Sequence, residues 1–159
     1  MKKEKRIIQN PGDCISLLSK YGRMKQEHFG VIFLNLKKEV IQTKCFFVGS
    51  DDRCSIYPKI VFWKACKLEA SAMVMFHNHP NGNTSPSQYD IELTKEFEKG
   101  GNLLGIQILD HIIIGKYDYY SFLEHDKMNR EENQVKVSHR HRLGVSPTPS
   151  VDNFKVLQP

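Results

Sequence analysis

The chain has 159 residues, of which 40% are hydrophobic and 26% are charged, and this composition is typical of one folded domain with appendages rather than of a fibrous or disordered protein. No apolar run approaches the roughly 20 residues that a membrane helix needs. The basic residues 1–6 are followed by only two isoleucines, where a secretory signal carries about 7–15 apolar residues. We therefore expect a cytoplasmic protein that makes no membrane contact.

The net charge of +5 is concentrated at the two ends of the chain. Residues 1–25 hold seven Lys/Arg against two acidic residues and residues 125–159 hold six against four, whereas residues 26–124 hold ten against twelve. A basic groove in the folded middle is therefore not expected. Any contact with nucleic acid is predicted to be weak and made by the tails, and charged tails that are simply solvated are the ordinary alternative.

The first part of the chain predicts a short helix and then a β-hairpin. The pair Gly12-Asp13 can cap an amphipathic helix that ends near Tyr21. Two β-rich runs follow, residues 29–36 and 40–48, and three charged residues join them. Two such runs with a short polar connection are typical of a hairpin.

The middle of the chain predicts a helix, a buried strand and a second helix. Pro58 stands where a helix often begins, and an apolar stripe follows it. Residues 72–76 are continuously apolar, which is typical of a strand buried on both faces. After a polar loop, Ser85 is a good N-cap and Pro86 a good first residue for a helix that the glycines at 100–101 would end.

The last predicted elements complete a sheet. Runs at residues 104–109 and 111–114 predict strand, broken at Asp110, and a turn at 115–118 leads into a short further strand. From residue 125 onward apolar residues are sparse, so we expect a tail with at most one short helix. Strands interleaved with helices at this spacing predict an α/β fold, a sandwich of a mixed sheet flanked by helices.

Histidines and a carboxylate around the loop after the buried strand predict a metal site. His77 and His79 are separated by one residue at the strand exit, so both side chains can point to the same side. Ser87 and Asp90 are three residues apart in the first helical turn and share a face, so Asp90 can supply a third ligand. Two histidines and one carboxylate leave a fourth tetrahedral position for water, the open arrangement of catalytic zinc.

The spacing of this motif resembles that of the JAMM metalloproteins, also called MPN or JAB proteins. In that family a distant upstream Glu precedes H-x-H, seven residues, Ser, two residues and Asp. The segments His77-Asn-His-Pro-Asn-Gly82 and Gly105–Ile114 are similar to those of bacterial RadC proteins, and the resemblance covers residues 26–124. It implies a JAB/MPN fold, related to that of cytidine deaminases.

The resemblance also implies an activity and a set of roles. A zinc-dependent hydrolase would cleave the amide bond of a protein or peptide substrate, including an isopeptide bond to a ubiquitin-like tag. The family motif assigns Glu27 as the general acid–base, His77, His79 and Asp90 as the Zn²⁺ ligands, and the hydroxyl of Ser87 as a group that holds the oxyanion.

Some positions stay open from the residues alone. Glu39 and Glu69 are as eligible as Glu27 to be the base, and Glu27 could equally be a solvated charge at a strand entry. Asp110 and His111 are candidates for partners of metal-bound histidines. They are equally candidates for a strand break with a hydrogen-bonded core histidine.

Three segments are predicted: a basic helical extension at 1–25, the JAMM-like domain at 26–124, and a basic, partly disordered tail at 125–159. RadC proteins typically carry an N-terminal helix–hairpin–helix region, which 25 residues are too few to hold, and this weakens the expectation of DNA binding. The alternative function is that of a DNA-repair or mobile-element accessory protein that binds nucleic acid without hydrolysing it. A catalytically inactive binding module is a third reading.

Overall fold

A five-stranded mixed sheet forms the centre of the structure, a computed structural model that describes residues 5–49 and 56–128. The predicted α/β fold with a mixed sheet flanked by helices is confirmed. The elements in chain order are α1 (Pro11–Leu18), a 3-10 segment (Ser19–Arg23), β1 (Glu27–Leu34), β2 (Val40–Gly49), α2 (Pro58–Lys67), β3 (Ala72–Asn78), α3 (Gln88–Leu104), β4 (Gln107–Ile114) and β5 (Tyr119–Ser121).

The strands lie in the order β2-β1-β3-β4-β5. The pair β3 and β4 is parallel and every other pair is antiparallel. Two parallel strands need a crossover connection, and α3 supplies it. In the described ranges no helix combines the length and the hydrophobicity that a bilayer span requires. Of the predicted tail, residues 129–159 lie outside the described part of the chain.

Strand β3 is buried along its whole length, as predicted, and it separates two apolar layers. Side chains of a strand alternate between the two faces of the sheet. Met73, Met75 and then His77 therefore face α2 and α3, whereas Val74 and Phe76 face α1. On the side of α1, Cys14 and Leu18 of that helix are buried against these residues. These two layers fix the face to which each β3 side chain points. They therefore also fix the direction of the residues that follow the strand.

The starts of α1 and α3 differ from their predicted positions by two or three residues, whereas α2 begins at Pro58 as predicted. Helix α1 is capped by Asn10 rather than by Gly12-Asp13: Asn10 Oδ1 accepts from Asp13 N at 3.2 Å, and Asp13 Oδ2 accepts from Asn10 N at 3.1 Å. The cap of α3 is Ser87, not Ser85: Ser87 and Asp90 form the capping box, whereas Ser85 N donates to Asn83 Oδ1 at 3.0 Å in the preceding loop. In the capping box of α1, Asp13 is therefore the third helical residue and not the cap.

The glycines at 100–101 do not end α3, which continues to Leu104. They lie where the helix packs closely: a Cβ on Gly100 would meet the Phe62 ring, and one on Gly101 would meet the carbonyl of Ile106. The helix ends instead at Gly105, whose φ of 68° is the left-handed conformation that glycine adopts without a Cβ penalty.

Asp110 does not break a strand, because β4 is continuous from Gln107 to Ile114. Met73 pairs with Ile108 and Val74 pairs with Asp110, so one extra residue forms a bulge and the ladder resumes beyond it. The buried Asp110 carboxylate accepts hydrogen bonds from His111 N at 2.7 Å, Leu123 N at 2.9 Å and Ser121 Oγ at 2.6 Å. The residue therefore ties β4 to the chain after β5.

Burial of Asp110 makes the stability of the fold depend on pH. Burial raises the pKa of this carboxyl to about 6, since it outweighs the hydrogen bonds from Ser121, Leu123 and His111, which act in the opposite direction. The folded state thus binds a proton more tightly than the unfolded state. This contribution to the free energy of unfolding is present at acidic pH and is lost as the pH rises from about 4 through about 6.

Asp110→Asn should therefore stabilise the protein increasingly as the pH rises. The amide oxygen can still accept from His111 N and Leu123 N, and the amide nitrogen can donate to Ser121 Oγ. Because the amide cannot ionise, the gain over the parent should be near zero at pH 4 and at most about 3 kcal/mol at pH 7. Urea unfolding of both proteins at several pH values measures it. The same change at the exposed Asp118 serves as the control, and a gain from Asp110→Asn that does not vary with pH would contradict the assignment.

Candidate metal centre

The candidate metal centre lies where β3 leaves the sheet and α3 begins. His77 is the penultimate residue of β3, His79 follows the strand, and Asp90 is in the first turn of α3. His77 Nε2 lies 3.0 Å from His79 Nε2 and 3.2 Å from Asp90 Oδ1, and His79 Nε2 lies 3.7 Å from Asp90 Oδ2. The three residues predicted as ligands come together, and they form a group that could hold a metal ion.

The spacing of these donor atoms fits a tetrahedral ion. Zinc binds histidine nitrogen at about 2.0–2.1 Å, which places neighbouring tetrahedral ligand atoms about 3.3 Å apart. The separation of 3.0 Å between the two histidine nitrogens and that of 3.2 Å between His77 Nε2 and Asp90 Oδ1 lie close to that value. His77 and Asp90 are buried, whereas His79 is half-buried. One side of the group is therefore packed against the protein and the other is accessible to solvent, as an open site requires.

A backbone carbonyl fixes the protonation of His79. Its Nδ1 is hydrogen-bonded to the carbonyl oxygen of Asn83 in the loop before α3. A carbonyl oxygen can only accept, so Nδ1 carries the proton and the neutral ring leaves Nε2 with a free electron pair. That free pair is on the atom that faces His77 and Asp90. The donor set thus consists of electron pairs, which suits a cation.

The capping box of α3 also positions the carboxylate. Asp90 Oδ2 accepts from Ser87 N and from Ser87 Oγ, both at 2.7 Å, while Ser87 Oγ accepts from Asp90 N at 3.2 Å. Burial by itself raises the pKa of Asp90, but the neighbouring His77 and the hydrogen bonds of Ser87 outweigh it and hold that pKa below its ordinary range. Oδ2 is thereby occupied, and Oδ1 remains directed at His77.

Strand register places Glu27 at the same end of the sheet as the histidines. Phe29 pairs with His77, and residues opposite each other in an antiparallel pair share a face. Glu27, two residues earlier, is on that same face and lies level with the exit of β3. Glu39 and Glu69 lie by the other end of this pairing, where Leu34 meets Ala72, which is about 20 Å away along the strands.

Asn78 is a buried polar residue beside the candidate metal centre that the sequence patterns do not single out. Its buried side chain points away from the metal group and holds the segment that carries Glu27: Oδ1 accepts from His28 N at 2.8 Å, and Nδ2 donates to Gln26 O at 3.1 Å. The backbone on both sides of Glu27 is thus fixed to β3. The predicted strand ends at residue 76, so the sequence placed Asn78 in a polar loop, and its burial follows from the extension of β3 to residue 78. A buried polar side chain must find partners.

His111 and Asp110 point to opposite faces of the sheet, which separates their roles. His111 is fully buried on the α3 face, with Nε2 at 2.9 Å from His77 Nδ1. Burial lowers the pKa of His111 well below its ordinary value, and His77 acts in the same direction. The Asp110 carboxylate accepts from the backbone N–H of His111 and not from its ring. Of the two positions left open by the sequence, His111 is the one in side-chain contact with the metal group.

Comparisons with known proteins agree with the motif. Residues 8–128 match the family described as RadC-like JAB domain. A UPF0758 protein of Alkaliphilus metalliredigens (strain QYMF) is 43% identical over 122 residues, which are 76% of this chain and 53% of that protein. A UPF0758 protein of Bacillus mycoides (strain KBAB4) is 40% identical over 118 residues, which are 74% and 52% respectively. The chain therefore spans about half the length of the curated relatives it matches.

The hydrogen bonds of Asn78 predict a measurable loss on truncation. Asn78→Ala leaves the His28 N–H and the Gln26 carbonyl without their partner, and we expect a loss of about 2–3 kcal/mol in the free energy of unfolding. Urea denaturation measures the loss, and faster hydrogen exchange of the His28 amide locates it. Asn81→Ala, the same change in the exposed loop, should cost less than about 1 kcal/mol. Equal effects of the two changes would contradict the clamp.

Proposed function

The chain belongs to the RadC-like JAB domain family, and from its candidate metal centre we propose that it is a zinc-dependent hydrolase of the JAMM type that cleaves a peptide or isopeptide amide. The observation that carries the proposal is the convergence of two imidazole nitrogens and one carboxylate on a half-open site. Such a donor set leaves one tetrahedral position free for a water molecule. The substrate class rests on the resemblance to the JAMM family.

His77, His79 and Asp90 would hold the ion. When bound at such a site, zinc supplies a water whose pKa is lowered to about 7 and therefore a nucleophile at neutral pH. Glu27 is the proposed general acid–base, which takes a proton from the attacking water and delivers it to the nitrogen of the leaving amine. Its place on the face of His77, with the backbone clamped by Asn78, supports this role.

Ser87 is proposed to help hold the negatively charged oxygen that forms on the attacked carbonyl. The residue is exposed, so an entering substrate could reach it. Its hydroxyl has one proton, which is donated to Asp90 Oδ2. In the proposed reaction this proton turns from Asp90 to the substrate oxygen, while the backbone N–H of Ser87 continues to hold Asp90.

One feature favours the alternative of a nucleic-acid-binding accessory protein. A groove beside the 3-10 segment is lined by Lys20, Arg23 and Lys116 together with the exposed ring of Tyr117. Cationic side chains with an aromatic ring suit phosphates and bases. The hydrolase remains the preferred function because this groove offers no chemistry that accounts for the buried histidine and carboxylate group.

Zinc content is the first test of the proposal. We expect about one zinc per chain in protein purified without added metal, and loss of that zinc in the double variant His77→Ala/His79→Ala, since one carboxylate alone cannot retain the ion. Elemental analysis measures the metal. His125→Ala, at a histidine outside the metal group, is the control and should keep the zinc. Unchanged zinc in the double variant would show that the ligands are wrongly assigned.

Glu27→Gln separates an enzyme from a metal-stabilised binding protein. The change keeps the shape of the side chain and removes its basicity, so amide hydrolysis should fall by about 10²–10⁴-fold while the zinc content stays the same. The rate of hydrolysis is measured with a panel of peptide and ubiquitin-like substrates, and the zinc content is measured on the same samples. Glu69→Gln, at the opposite end of β3, should retain the parental rate. A parental rate in Glu27→Gln with zinc in place would refute the proposed mechanism.

A further inference from the structure

A chain of buried hydrogen bonds connects the two ends of Asp90 through three other residues. His77 Nδ1 lies 2.9 Å from His111 Nε2, His111 Nδ1 lies 2.7 Å from Thr94 Oγ1, and Thr94 Oγ1 lies 2.6 Å from the backbone carbonyl of Asp90. All four side chains are nearly inaccessible to solvent. The carboxylate of Asp90 faces His77 Nε2 at the other end, so the chain closes on the candidate metal centre.

Each proton in this series of hydrogen bonds can be assigned to one atom. The Asp90 carbonyl only accepts, so it takes the single hydroxyl proton of Thr94. Thr94 Oγ1 must then accept from His111, which places a proton on His111 Nδ1. A neutral His111 has no proton on Nε2, and this nitrogen accepts from His77. His77 therefore carries its proton on Nδ1, and its Nε2 has a free electron pair.

Packing holds the His111 ring in the orientation that this order requires. The ring stacks on Phe122, with centroids 5.0 Å apart and planes at 14°. On another side Phe29 meets it edge to face at 6.5 Å. A ring held between two aromatic side chains cannot turn freely to exchange its two nitrogens. The hydrogen-bond order is thus fixed by the core as well as by Thr94.

We propose that His111 and Thr94 are positioning residues that keep the proton of His77 on Nδ1 and so make Nε2 available as a metal ligand. The proposal rests on the metal centre of the proposed function. Thr94 has a role as well, because its hydroxyl donates to the backbone carbonyl of Asp90, one proposed ligand. The same hydroxyl accepts from His111, which in turn accepts from His77, a second proposed ligand. Carboxylates and carbonyls commonly perform this task for metal-bound histidines, whereas here a neutral histidine performs it.

Three variants of the full chain test the proposal. Thr94→Val keeps the shape but lets His111 move its proton to Nε2, after which His77 must accept at Nδ1 and hold its own proton on Nε2. His111→Leu removes the acceptor of His77. His111→Gln offers an amide oxygen near the position of Nε2 and should restore it. His125→Gln is the control, since His125 lies outside the chain of hydrogen bonds.

Two measurements are made on each protein, after thermal unfolding has shown which variants fold. ¹⁵N NMR of the histidine rings in the metal-free chain reports which nitrogen carries a proton, and competition with a chelating dye gives the affinity for Zn²⁺. We expect a protonated Nδ1 on His77 and a bare Nε2 on His111 in the parent. Zinc affinity should fall by about 10–100-fold in Thr94→Val and His111→Leu and recover in His111→Gln.

The outcomes separate this proposal from the proposed function. A bare Nδ1 on His77 in the parent overturns the positioning role, as does parental zinc affinity in folded Thr94→Val. A parent that binds no zinc overturns the metal centre and the positioning role together. A parent that binds zinc, shows the expected proton positions and cleaves no amide contradicts only the hydrolase, and leaves the positioning role supported.

Discussion

The burial of β3 on both faces is the constraint on which the rest of the site depends. With an apolar layer on each side, a slip of one residue would turn every side chain to the wrong layer, so the register is firmly set. His77 must then face α3, and Asn78 must face the other way. The strand delivers a ligand on one side and, on the other, an amide that holds the backbone around Glu27. One short strand thereby positions two of the three parts that the proposed chemistry needs.

The start of α3 supplies the third part, and it makes the helix cap and the candidate metal site share the same atoms. A capping box satisfies backbone groups that would otherwise lack partners, and a carboxylate in the first turn is favoured by the helix dipole. Asp90 meets both conditions while directing Oδ1 at His77. Facing electron pairs repel one another without a cation between them. A bound ion relieves this repulsion, and by mass action it should also stabilise the folded chain.

The sequence predicts more of the local chemistry than of the tertiary placement. The H-x-H and S-x-x-D spacings were sufficient to predict that His77, His79 and Asp90 converge, because strand and helix periodicities are short-range. Ser85 and Ser87 are both good caps, however, and it is Ser87 that forms the capping box with Asp90 in the folded chain. Two larger matters depend on contacts far apart in the sequence: the end of the sheet at which each glutamate lies, and the conversion of Asp110 from a strand break into a buried brace at a bulge.

The central claim is that two histidine nitrogens and one carboxylate oxygen bind the ion and leave a fourth position for water. X-ray absorption spectroscopy on the full chain loaded with one equivalent of zinc tests it most directly, because the spectrum reports the type and distance of the ligand atoms. We expect only nitrogen and oxygen neighbours at about 2.0–2.2 Å, with the outer scattering of two imidazole rings. A sulfur neighbour at about 2.3 Å, or the absence of imidazole scattering, would contradict it.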